Sequence, residues 1–153
     1  MKEHFDLLAI TRKNILDEIN ACSNEQLFEI PAGFNNHVLW NAVHLIVTQQ
    51  VLIYGNTDTP FRIDQAIIDR YRKGTTPTGE VDQEMVDFAK EQLLTSVETL
   101  KADYGKGIFG AYKPVTTSYG APLNSVEDAI RFNNVHEGMH YGQIKMLKRI
   151  ISQ

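Results

Sequence analysis

Phe5, Leu8, Arg12, Ile15, Leu16 and Ile19 recur at steps of three and four, a spacing that predicts an amphipathic helix over roughly residues 2–21. Ser23 with Gln26 three positions later has the form of a capping box for a short turn at about residues 25–28, and Pro31 and Gly33 break the chain beyond that turn. A second helix is expected over about residues 36–54, with Asn36 as its N-cap and Gly55-Asn56 as its stop. A minor helical piece near residues 64–71 and a Gly/Thr/Pro segment lead to a third long helix near residues 81–103. There Met85, Phe88, Gln92, Val97 and Leu100 keep the helical spacing. Ser125 with Asp128 starts the last helix, which runs to about Ile151.

Four long helices without a strand pattern point to an all-α protein, a four-helix bundle. At 153 residues the chain suits one domain, residues 1–153, around one core. The long stretch before the last helix carries several glycines, Pro114 and Pro122, together with Tyr104, Phe109, Tyr112 and Tyr119. A connection of that length and aromatic content is a candidate lid over a cleft, with Tyr112 and Tyr119 facing the pocket.

The chemistry lies where the apolar pattern fails. Projected at helical spacing, the inward positions of the last helix are Val126, Ala129, Asn133, His136, His140, Gln143, Leu147 and Ile150, apolar at the ends and polar in the middle. Each buried polar group left without a partner costs about 1–3 kcal/mol, so this seam demands partners. The second helix has a matching stripe of His37, Asn41, His44 and Thr48.

His136 and His140 stand one helical turn apart, which lets both rings reach one ion, and a histidine from a facing helix would complete a three-His site. His44 and His37 are separated by roughly 10.5 Å at 1.5 Å per residue, so both cannot bind that ion, and His44 is the better placed. His37 is left to cap its helix, line the mouth of the site or face solvent. Asn41, Asn133 and Gln143 are expected to orient the imidazoles or line the pocket, with buried structural amides as the competing account.

A net charge of −4 and a pI near 5.7 argue against nucleic-acid or acidic-membrane partners. Lys145, Lys148 and Arg149 form a small basic group, placed to complement a helix C-terminus. Cys22 is the single cysteine, no apolar run is long enough to span a bilayer, and the acidic start is unlike a secretory signal; a cytoplasmic location is expected.

His136-Glu137-Gly138-Met139-His140 matches the H-E-x-x-H string of zinc peptidases. Those enzymes take a third ligand from beyond the string, and no His, Asp or Glu comes after His140. Glu137-x-x-His140 also matches half of a di-iron bundle motif, but no second copy exists, so one metal is expected rather than two.

Asn36-His37-Val38-Leu39-Trp40-Asn41-Ala42-Val43-His44 resembles the Asn-x-x-x-Trp-x-x-x-His segment of DinB/YfiT-like proteins, and residues 136–144 resemble their closing His-x-x-x-His-x-Gly-Gln-Ile segment. The resemblance implies an up-up-down-down four-helix bundle, commonly a homodimer, with His44, His136 and His140 as metal ligands. In similar proteins the ion is nickel, zinc, iron or manganese. Relatives include thiol S-transferases that use bacillithiol or mycothiol and a mycothiol-dependent maleylpyruvate isomerase. The chain carries no distinctive thiol-cofactor signature, and its acidity gives no support for DNA binding.

The leading expectation is therefore a metal-dependent enzyme acting on a small-molecule substrate, a thiol transferase with a low-molecular-weight thiol or a hydrolase. Three neutral His ligands leave coordination positions open for water or thiol. Glu137 is the candidate catalytic base, but only if it turns toward the ion; its angle of about 100° from His136 favours an outward or supporting place. The rival expectation is a non-catalytic bundle in which the ion is structural or the cavity merely binds a ligand.

Overall fold

The computed structural model describes residues 1–152. Its elements are α1 (Lys2–Asn20), α2 (Asn24–Phe28), α3 (Val38–Gln49), a π-helical continuation of α3 (Gln50–Tyr54), α4 (Gln65–Tyr71), α5 (Gln83–Gly105), strands β1 (Val115–Thr116) and β2 (Pro122–Leu123), and α6 (Val126–Ile151). The capping box at Ser23 and Gln26 is formed, and the Ser125 side chain accepts from the Asp128 N–H at the head of α6. At α3 the cap lies one residue later than expected: the His37 ring, not Asn36, accepts the Trp40 N–H.

The mainly helical fold expected from the spacing is present, and side-chain pairs fix the helix directions. Phe5 meets Tyr104 and Arg12 meets Ser96, so α1 and α5 run antiparallel. Asn134 reaches His4 and Lys148 reaches Glu18, so α1 and α6 run parallel. Gln49 meets Ser96 and Tyr54 meets Asp103, which makes α3 and α5 parallel, while Asn41 meets His140 across antiparallel α3 and α6.

In chain order the long helices therefore run up, down, down, up, not up-up-down-down. The up-up-down-down sequence appears only on walking around the bundle, α1 to α6 to α3 to α5. The physical reason is the crossover between α3 and α5: two parallel helices need a connection that returns along the whole bundle, and α4 lies within it.

Two apolar clusters stack along the axis. At one end Ile15, Ile19, Leu39, Leu93 and Leu147 are closed in by the start of α3; at the other Phe5, Leu8, Ile53, Leu100 and Ile130 pack together. Between them lies a wholly buried polar layer. Arg12 Nε and Nη2 donate to Glu137 Oε2 and Oε1, both at 2.7 Å, and the two side chains are fully enclosed. Arg12 also donates to Gln49 Oε1 at 3.3 Å and Ser96 Oγ at 3.4 Å, and Asn133 Nδ2 donates to Glu137 Oε1 at 3.3 Å. All four long helices meet in this layer.

The layer corrects the expected inward face of α6. Its buried positions are Val126, Ala129, Ile130, Asn133, Glu137, His140, Ile144 and Leu147, while Gln143 is half-buried and Ile150 exposed. The face is rotated toward Glu137 because the carboxylate must enter the core to neutralise Arg12; a buried unpaired guanidinium would be far costlier than a solvated Gln143.

Breaking such a pair leaves one charge buried and alone. Glu137→Leu is expected to cost about 3–5 kcal/mol in urea unfolding of the metal-free protein, and Arg12→Leu/Glu137→Leu to regain a large part of that loss. A single-variant cost below about 1 kcal/mol would contradict the account.

Candidate metal centre

The antiparallel packing of α3 on α6 brings His44 between His136 and His140. Ring centroids are 5.2 Å apart for His44 and His136, 4.8 Å for His44 and His140, and 4.5 Å for His136 and His140. One ring nitrogen from each lies within 4.8 Å of the others. A shift of under about 1 Å by each ring then allows bonds of roughly 2.0–2.1 Å to one shared ion.

Hydrogen bonds set two of the tautomers. His44 Nδ1 donates to the Tyr71 carbonyl at 2.7 Å, which leaves a lone pair on Nε2. The amide of Asn41 donates to Asn36 Oδ1 and the His37 carbonyl, so its oxygen faces His140 and accepts from Nδ1 at 2.8 Å. His140 therefore also carries its lone pair on Nε2. His136 Nδ1 is buried without any partner, an unmet demand that a bound cation would answer. The Thr48 hydroxyl lies 3.2 Å from His44 Nε2, and the Trp40 ring stacks on His44 at 4.6 Å with planes 9° apart.

Burial holds all three rings neutral near pH 7. It pushes His136 down to about 3, with the neighbouring imidazoles and Arg12 adding to the effect, and His140 down to about 4, with His44 adding. His44 is lowered by burial against a smaller opposing pull from its bond to Tyr71. Neutral imidazoles are the form that donates to a metal, and the donor set fits one divalent ion.

A cavity of about 680 Å³ opens beside the rings. His44, Thr48 and His136 form its polar end, Val47, Val51, Leu52, Ile68, Phe132 and Met139 its apolar wall, and residues 115–119 of the hairpin cover it. Tyr119 lines this cavity although its side chain is largely exposed. Tyr112 does not: its hydroxyl donates to the Leu52 carbonyl at 3.0 Å and its ring lines a separate hollow with Tyr104 and Phe109.

The other expected residues divide by partner. Asn41 reaches the imidazoles, whereas Asn133 serves the Arg12–Glu137 layer and Gln143 lies off the cavity. His37 is buried, caps α3 through Nδ1, and is pushed down to about 4 by burial, so it neither faces solvent nor lines the cavity. Glu137 turns away from the rings to Arg12 with both oxygens engaged, which removes the candidate base. The Tyr71 carbonyl escaped sequence reasoning because a main-chain acceptor leaves no residue-type signal. Trp40 was detectable in principle, four residues before His44 on the same face.

These pKa values set a pH dependence with a definite sign. The folded values for His37, His136 and His140 lie below the unfolded value near 6.5, so the unfolded chain takes up protons first. Their contribution to stability is intact above about pH 6.5 and is lost as the pH falls toward 4 and then 3. Metal-free protein is expected to lose stability steadily from pH 6.5 to 4 in chemical denaturation, with a shallower slope in His136→Gln. An unchanged slope in that variant would refute the assignment.

No curated protein matches the chain significantly. Residues 7–144 match the sequence profile of the DinB superfamily, a span that takes in most of every long helix and all three converging histidines. The chain is a member of the DinB superfamily.

Proposed function

We propose that the protein is a metal-dependent enzyme, a thiol S-transferase or a hydrolase, that holds one divalent ion on His44, His136 and His140 and acts on a small molecule in the adjoining cavity. The observation that carries this reading is the convergence of three neutral imidazoles, two with lone pairs aimed by fixed partners and one with an orphaned nitrogen, at the head of an open cavity. Nickel, zinc, iron and manganese all accept imidazole nitrogen, and such an ion supplies Lewis acidity that draws the pKa of water or a thiol toward neutrality.

The chain's own residues would bind and orient. Asn41 and the Tyr71 carbonyl hold two rings in their tautomers, Trp40 fixes the plane of His44, and Thr48 offers a hydroxyl beside Nε2. The cavity is of a size for a small ligand, and the hairpin at Val115 and Tyr119 would limit water access. Proton transfer falls to the ligand or solvent, since Glu137 is committed to Arg12.

Metal analysis of untagged protein should find one ion per chain, and His44→Ala and His140→Ala should abolish it. Asn41→Ala should weaken metal affinity by about 10- to 100-fold while leaving the donors in place. Full metal content in both histidine variants would end the triad reading. Retained metal with no exchangeable coordination position would favour a structural ion instead.

The proposal extends to one cytoplasmic domain that pairs as a homodimer. Val135 and Met146 are about half exposed along the outer face of α6, with exposed Gly138 and Gly142 between them. Val135→Glu/Met146→Glu is expected to shift a dimer to monomer in sedimentation. An unshifted dimer would remove that face from the interface. Among the described residues, no helix is long and apolar enough to cross a membrane.

A further inference from the structure

The residues that orient His44 continue directly into two cations. Tyr71 supplies the carbonyl that accepts from His44 Nδ1, and the next two residues, Arg72 and Lys73, line the same cavity. Consecutive Cα atoms lie about 3.8 Å apart, so the backbone that steers one imidazole also delivers both cations to the cavity rim.

Their charges are unspent. Arg12, Arg62, Arg70 and Arg131 each meet a carboxylate within 4.0 Å, whereas neither Arg72 nor Lys73 does among the described residues. Asp69 also lines the cavity, but it accepts from the Gln65 amide at 3.2 Å and leaves the lining with a cationic excess. That excess sits on a chain whose net charge is −4. A guanidinium beside an apolar wall suits a planar anion in a way a lone ammonium does not.

We infer that the cavity selects an elongated small molecule bearing a carboxylate, whose anionic end meets Arg72 and Lys73 while its apolar body lies along Val51 and Ile68 and its reacting end reaches His44 and His136 at the edge of the histidine cluster. The inference rests on the metal-site reading and names the class of ligand that site takes. Arg72 supplies the directional bond and Lys73 adds charge, so a neutral analogue of equal length loses only the rim contact.

The probes are 6-mercaptohexanoate and 6-mercapto-1-hexanol, which share a thiol and an apolar chain and differ in the far end. Titrated into cobalt-loaded protein and followed by thiolate-to-cobalt charge-transfer absorption, the carboxylate should bind about three- to tenfold tighter than the alcohol. The gap should narrow with added salt and close in Arg72→Ala/Lys73→Ala, with alcohol binding unchanged. Equal affinities in the natural protein, or a gap that persists in the double variant, would overturn the anion assignment alone. Failure of the protein to take up cobalt would overturn the metal reading beneath it.

Discussion

A guanidinium and a carboxylate enclosed at the meeting point of four helices constrain this structure more than any apolar contact does. Arg12 and Glu137 cannot be solvated, so each must find the other, and Gln49, Ser96 and Asn133 must take the hydrogen-bonding capacity that remains. Apolar clusters tolerate small rotations of a helix. A bidentate pair does not, because turning α6 would separate both 2.7 Å bonds together. The pair therefore sets the rotation of α6, and that rotation puts His136 and His140 opposite α3.

The polar layer and the histidine cluster share one helix turn but divide its labour. Glu137 points to α1 and fixes the scaffold, while its neighbours on either side in the turn, His136 and His140, point to α3 and the cavity. The string His136-Glu137-x-x-His140 thus takes on a meaning unrelated to peptide hydrolysis. Its acid is a structural counterion to an arginine from the other end of the chain. The imidazoles keep their own partners, Tyr71 for His44 and Asn41 for His140, and Arg12 acts on them through the orientation of the helix and, at His136, through its charge.

Much of this was legible in the sequence, and the misses have particular causes. The helices, the two capping serines and the histidine cluster emerge from spacing, because three- and four-residue steps translate directly into faces. Arg12 stood in plain view within the apolar stripe of the first helix, yet a single helix cannot reveal that its partner is Glu137. With that partner unknown, the inward arc of α6 came out rotated, taking in Gln143 and Ile150 in place of Glu137 and Ile144. Helix direction was hidden for a related reason, since a crossover and a simple return both look like a loop in sequence. Tyr112 and Tyr119 looked alike in one loop, but the short β1–β2 hairpin sends Tyr119 over the cavity and leaves Tyr112 hydrogen-bonded elsewhere.

The crossover that runs from α3 to α5 has an evolutionary consequence. It contributes a main-chain carbonyl to the histidine centre and side chains to the cavity wall, and the hairpin before α6 supplies much of the rest. A carbonyl is present whatever residue stands at position 71, so the support of His44 does not itself constrain the side chain there. Substitutions at positions 72 and 73, or within residues 116–118, can reshape what the cavity admits without disturbing the bundle interior. The histidine cluster and the lining of the cavity beside it are thereby carried by separable parts of the chain, which leaves the scaffold free to keep one set of imidazoles while the shape and charge of the adjoining space change.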